Sequence, residues 1–189
     1  MYGWHFIERF TLAALVFVFT ALMAADCAKA ATQGSSGATS TGSITITASV
    51  ASRVKISKLN DVTFSSVDVS SAVSNNQSIC VWSNTATKGY NITATGNGSG
   101  GIFTLDGGSG TTPMAYTVQW NQNSGQSSGT SLTAGSSLTG QKSTATQQDC
   151  TSGPSTTASL IIGISATELG NAVSSATYTG ILTLVVAPE

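Results

Sequence analysis

The sequence predicts an all-β fold, and three observations carry that prediction. One stretch, from Ile44 to Ile56, alternates with a period of two. Ile44, Ile46, Ala48, Val50, Ser52, Val54 and Ile56 share one face, and Thr45, Thr47, Ser49, Ala51, Arg53 and Lys55 share the other. That is the period of a strand with one dry and one wet face. Shorter alternating stretches recur downstream, separated by loops rich in Gly, Asn and Ser, which is the pattern of a β-sandwich. The composition fits: hydrophobic residues make up 40% of the chain and charged residues only 8%. Disorder goes with the opposite balance, low hydrophobicity and high net charge, and the net charge here is -1.

The first residues are expected to lie outside the fold. Arg9 precedes an apolar run from Phe10 to Ala25, followed by the small-x-small triplet Ala28-Lys29-Ala30. Residues 1–30 therefore read as a secretory signal, shorter in its apolar run than the roughly 20 residues of a membrane span. No stable membrane span is expected once it is removed. Residues 31–42 form a polar, Gly/Ser/Thr-rich leader. Residues 43–189 are left as one domain, and about 159 residues remain after cleavage, a length suited to one core.

The stretch 44–56 is long for a strand. At ~3.3 Å per residue it would span roughly 43 Å, against the usual ~17–20 Å. Either it bends between sheets of one domain, or its first part, 43–51, pairs with another molecule. After it, Val62–Val67 is a weak strand candidate. Gln77–Ser83 contains Ile79, Cys80, Val81 and Trp82 and is apolar on both faces. Tyr90–Thr95, Ile102–Leu105, Met114–Trp120 and Thr157–Ser165 follow as strands, with an irregular edge strand around Leu132–Leu138. Ala166–Leu169 reads as one helical turn. The last strand places Tyr178, Gly180, Leu182, Leu184 and Val186 on one face. Setting 44–50 aside leaves six strong strands, one short of the seven common in an immunoglobulin-like sandwich. The chain stops soon after the last of them. A sandwich lacking its final strand exposes an edge that must be covered or paired.

Residues 31–189 contain no histidine, so a Ser-His-Asp or Cys-His arrangement and a histidine metal site are excluded there. Cys80 and Cys150 are expected to form one disulfide, as two cysteines in a secreted chain most simply do. The acids are scattered. A pair such as Asp106 and Asp149 would have to meet in space to serve as glycosidase carboxylates. Asp106-Gly107-Gly108-Ser109-Gly110 lacks the Lys-Ser/Thr of a phosphate loop. Arg53, Lys55 and Lys58 read as strand solubility and edge protection, or as a contact for an acidic partner. Trp82 and Trp120 read as core residues ahead of sugar platforms; of the two, Trp120 is the better sugar candidate, because it borders a polar loop. The expectation is no enzyme, no cofactor, no metal and, at this charge, no nucleic-acid partner.

Several segments together resemble a chaperone–usher pilin, most closely the archaic branch that includes spore coat protein U-like subunits. They are Gly42-Ser43-Ile44-Thr45-Ile46-Thr47, Val54 to Asp61, Ile79-Cys80-Val81-Trp82-Ser83-Asn84, Tyr90 to Gly96, Asp149-Cys150 and Tyr178 to Val186. The resemblance implies an incomplete immunoglobulin-like sandwich, completed by strand donation between subunits. A periplasmic chaperone and an outer-membrane usher, with other copies or related pilin subunits, are the implied partners. The implied product is a surface fibre, exported through the periplasm, that supports adhesion or biofilm formation. In that scheme Ile44, Ile46, Ala48 and Val50 form the donor strand, and the strand from Tyr178 to Val186 borders the groove that receives it. Many pilins carry their first cysteine in the opening strand, whereas Cys80 lies in a later one. The alternative is a self-contained secreted sandwich that binds carbohydrate or another surface ligand.

Overall fold

A computed structural model describes residues 30–189, so all of the expected signal segment except Ala30 lies outside the described residues. The chain divides into two units, Met1–Ser49 and Val50–Glu189. In the first, Thr32 and Ser43 exchange both backbone hydrogen bonds, N to O at 2.9 and 3.0 Å. They close the polar leader into a loop. Residues 44–49 are exposed and belong to no strand.

The second unit is all-β. Its strands are Val54–Ser57 (β1), Val73–Ser83 (β2), Gly89–Gly96 (β3), Thr104–Leu105 (β4), Met114–Ala115 (β5), Thr117–Asn121 (β6), Thr130–Ser131 (β7), Ser137–Lys142 (β8), Ala158–Ile164 (β9) and Leu182–Pro188 (β10). Three antiparallel sheets result, in the orders β1-β2-β9-β6-β7, β10-β3-β8 and β4-β5. One short helix, Ala166–Gly170 (α1), starts where the Ser165 hydroxyl accepts the Glu168 amide at 3.2 Å. That is an N-cap of the usual kind.

The two larger sheets share one core. Ile79 and Val81 of β2, Val118 and Trp120 of β6 and Leu160 of β9 are buried with Tyr90, Ile92 and Ala94 of β3. Trp120 is 1% exposed, and its Nε1 donates to Tyr90 Oη at 3.2 Å across the core. The two rings meet edge to face. Burial pushes the Tyr90 phenol up to about 12, partly offset by the Trp120 hydrogen bond. A phenol that ionises less readily folded than unfolded gives stability present below pH 10 and lost as pH rises to about 12. The loss should approach ~1.4 kcal/mol per pH unit. Urea midpoints from neutral pH to about pH 12 should fall less steeply in Tyr90→Phe than in the unaltered protein.

β2 is apolar on both faces because both are covered. Ile79 and Val81 face the core, while Cys80 and Trp82 face the loop around residues 143–157. Cys80 and Cys150 form the expected disulfide, with Cα atoms 6.1 Å apart. Polar contacts fasten the same loop. Thr157 Oγ1 donates to the Val81 carbonyl and accepts its amide, both at 2.9 Å, extending the ladder with a side chain just before β9 begins. Lys58 Nζ donates to the Ser155 and Cys150 carbonyls at 2.6 and 3.3 Å, and Lys88 Nζ to that of Ala145 at 3.1 Å.

Several expected elements differ. Of the stretch 44–56, only residues from Val54 onward form a strand. Val62–Val67 is irregular, and Phe64 and Val67 pack on the core from a loop. Met114–Trp120 splits between two sheets at Tyr116, whose amide donates to Phe103 O at 3.0 Å. The region 132–138 is replaced by β7 and β8. β8 carries a bulge opposite Tyr90–Ile92, where Gly140 takes a left-handed φ of 72°. The last strand begins at Leu182, not Tyr178. Thr179 instead bridges to Asp106, and Gly180 lies so close to β4 that a Cβ there would sit 2.8 Å from Leu105 Cδ2.

Candidate functional site: an open edge between β1 and β10

β1 and β10 are the end strands of their sheets, and they approach within 8 Å, Cα to Cα, with no ladder between them. The phase of each existing ladder shows which backbone groups face this gap. Glu189 N donates to Gly89 O at 3.2 Å, in register with β10–β3. In an antiparallel ladder, bonded and non-bonded pairs alternate. Ala187, Val185 and Thr183 therefore turn their backbone groups toward β3, and Val186, Leu184 and Leu182 turn theirs outward. Asn84 N donates to Arg53 O at 3.1 Å, in phase with β1–β2. By the same rule, Val54 and Ile56 turn their backbone groups away from β2. Among the described residues, none of these five has a ladder partner on its outer side.

The same five residues point their side chains inward, yet remain half-buried. Val54, Ile56, Leu182, Leu184 and Val186 pack against the core without being sealed by it, as do Phe64, Val67 and Leu105. Ile79, Val81 and Ile92 are by contrast fully covered. The gap is thus apolar beneath and lined with hydrogen-bonding groups along its rims, which are the two requirements for accepting a strand.

The donor candidates have the complementary character. Ile44, Ile46 and Val50 are 73%, 83% and 85% exposed, and Ala48 is exposed as well. Sequence reasoning did not foresee how this segment is held at its junction with β1. The Asn84 side chain accepts from Arg53 N through Oδ1 at 2.6 Å and donates to Ala51 O through Nδ2 at 2.9 Å. It thereby imitates one more residue of β2. An Asn at a strand end is also an ordinary turn residue, so the sequence carried no distinguishing signal.

Of the residues expected to border a groove, Leu182, Leu184 and Val186 lie on β10, whereas Tyr178 and Gly180 precede it. Tyr178 packs on the core, and its hydroxyl accepts the Val173 amide at 3.1 Å. The other candidates are occupied locally. Asp106 Oδ1 accepts Gly108 N at 2.8 Å, within its own loop. Thr151 Oγ1 donates to Asp149 Oδ1 at 3.0 Å, the main cause holding that carboxyl below its usual range. Trp120 is a core residue, the reading the sequence favoured, and its burial leaves it unavailable as a sugar platform. Lys58 is turned to loop carbonyls, while Arg53 and Lys55 are exposed.

A cavity of about 190 Å³ between β5 and α1 is small for a ligand site. Its Glu168 already accepts Ala115 N at 2.9 Å. Among the described residues there is no cluster of three His, Cys, Asp or Glu side chains able to hold a metal, and no helix long and apolar enough to cross a membrane. No family model and no curated protein sequence matches the chain.

Proposed function

We propose that this protein is a structural subunit of a surface fibre, and that each copy is completed by residues 44–50 of another. The carrying observation is the pairing of two incomplete features in one chain. β1 and β10 border an apolar gap with unpaired rims, and an apolar alternating segment stands exposed without a ladder. A single-ended version of this would be an aggregation hazard. With both ends present, association is head to tail and continues into a filament.

The proposed complete unit is an immunoglobulin-like sandwich of the chaperone–usher pilin kind. A chaperone would cover the groove during export through the periplasm, and an usher would pass subunits to the cell surface, where the fibre serves adhesion or biofilm formation. A strand laddered to both rims needs ~9.6 Å between its neighbours. The nearest part of the gap must therefore widen as the strand enters, so exchange is expected to be slow without assistance. Electron micrographs of cells carrying or lacking the protein test this reading. Thin surface fibres should be present in the first and absent in the second. Identical surfaces, with the protein recovered only as a soluble monomer, would refute it.

A further inference from the structure

We propose that the donated segment is pinned at both ends, so that it pairs with β10 of a second copy in one antiparallel register: Ile46 opposite Val186, Ala48 opposite Leu184 and Val50 opposite Leu182. The inference rests on the strand-donation reading above and adds to it the device that fixes the alignment.

One pin is the Thr32–Ser43 pair, which consumes both backbone groups of Ser43 at 2.9 and 3.0 Å. The other is Asn84, which holds Ala51 O and Arg53 N. The free stretch between them, 44–50, has as many residues as β10, which has 7. The phases also agree. In an extended strand, neighbouring residues turn their backbone groups to opposite edges. Ser43, Ala51 and Arg53 are odd-numbered and bond within their own copy. The even-numbered residues 44, 46, 48 and 50 are thereby left to face β10, whose outward groups belong to the even residues 182, 184 and 186. Pairing even with even also buries Ile46, Ala48 and Val50 over the half-buried Val186, Leu184 and Leu182. The ladder ends at Pro188, which has no N–H to give, where the incoming chain reaches the pinned Ser43. An alignment shifted by two residues would preserve the apolar face, so side-chain pattern alone does not choose the register. The two pins do.

Disulfide trapping in the full chain, in cells that assemble the unaltered protein, tests the register. Ile46→Cys with Val186→Cys, and Val50→Cys with Leu182→Cys, should give ladders of covalent oligomers on non-reducing gels. The two-residue slip, Ile46→Cys with Leu184→Cys, should give at least ten times less, because diagonal neighbours lie about 7–8 Å apart, too far for a disulfide. Adding Asn84→Ala should raise the slipped product several-fold. Fibres in which the slipped pair cross-links best would overturn the register and leave strand donation standing. An unchanged ratio in Asn84→Ala would remove Asn84 as a pin. If no pair cross-links although fibres form, donation by 44–50 fails, and the register with it.

Discussion

Ile46→Asp combined with Val50→Asp is expected to abolish fibre formation while leaving the unit Val50–Glu189 folded. Both side chains are largely exposed in the single chain, at 83% and 85%, so the isolated subunit loses almost nothing. In the assembled state each would be buried over a half-buried aliphatic row. Losing two branched side chains removes ~3–6 kcal/mol of apolar burial, and desolvating two unpaired carboxylates adds several kcal/mol more. The joint has little to spare, since ordering each leader residue costs ~1–2 kcal/mol of backbone entropy. Its remaining support is the hydrogen-bond ladder and the closing of a gap that is costly when open. At ~1.4 kcal/mol per decade, association should weaken by more than about four orders of magnitude. Electron microscopy and light scattering should show no polymer. The variant keeps an intact β1–β10 gap, so it should still accept the unaltered leader and terminate growing fibres when mixed with unaltered subunits.

Replacing Cys80 and Cys150 together by serine should produce the largest loss of stability in the folded unit. The bridge closes a separation of 70 residues. In the chain-entropy account this constrains the unfolded chain by ~4 kcal/mol. Its removal also loosens a loop that seals the outer face of β2, where Cys80 is fully buried and Ala145 and Cys150 are nearly so. For a domain of this size ~1 kcal/mol corresponds to a Tm change of ~2–4 °C, so a fall on the order of 10 °C is expected by calorimetry. The polar ties from Lys58, Lys88 and Thr157 to this loop remain, so the loop should loosen without the core unfolding at ambient temperature.

The sequence carried the side-chain pattern well and the backbone pairing poorly. Ile44–Ile56 reads as an amphipathic strand because its period is two. That period reports where side chains point, not which backbone lies alongside, so the divide between exposed 44–53 and laddered 54–57 leaves no trace in it. Met114, Tyr116, Val118 and Trp120 are all buried, and their alternation runs unbroken through a change of sheet. Ile79-Cys80-Val81-Trp82 was readable as apolar on both faces, since a core and a disulfide-bound loop each require a dry face. Tyr178 and Gly180 share the parity of β10, but Gly180 is drawn against β4, and β10 starts after it. Neither pin was visible. Thr32 and Ser43 lie in a stretch too rich in Ser and Thr for two residues to stand out, and the role of Asn84 depends on β1 lying beside it.

The most direct test is amide hydrogen exchange at Leu182, Leu184 and Val186, compared between dilute subunit and assembled fibre. Open-edge amides exchange fast and laddered ones slowly. These three should exchange rapidly in the subunit and become strongly protected in the fibre, together with Ile44, Ile46, Ala48 and Val50. Protection of both sets in the dilute monomer, independent of concentration, would contradict the account, because the chain would then be closing its own edge.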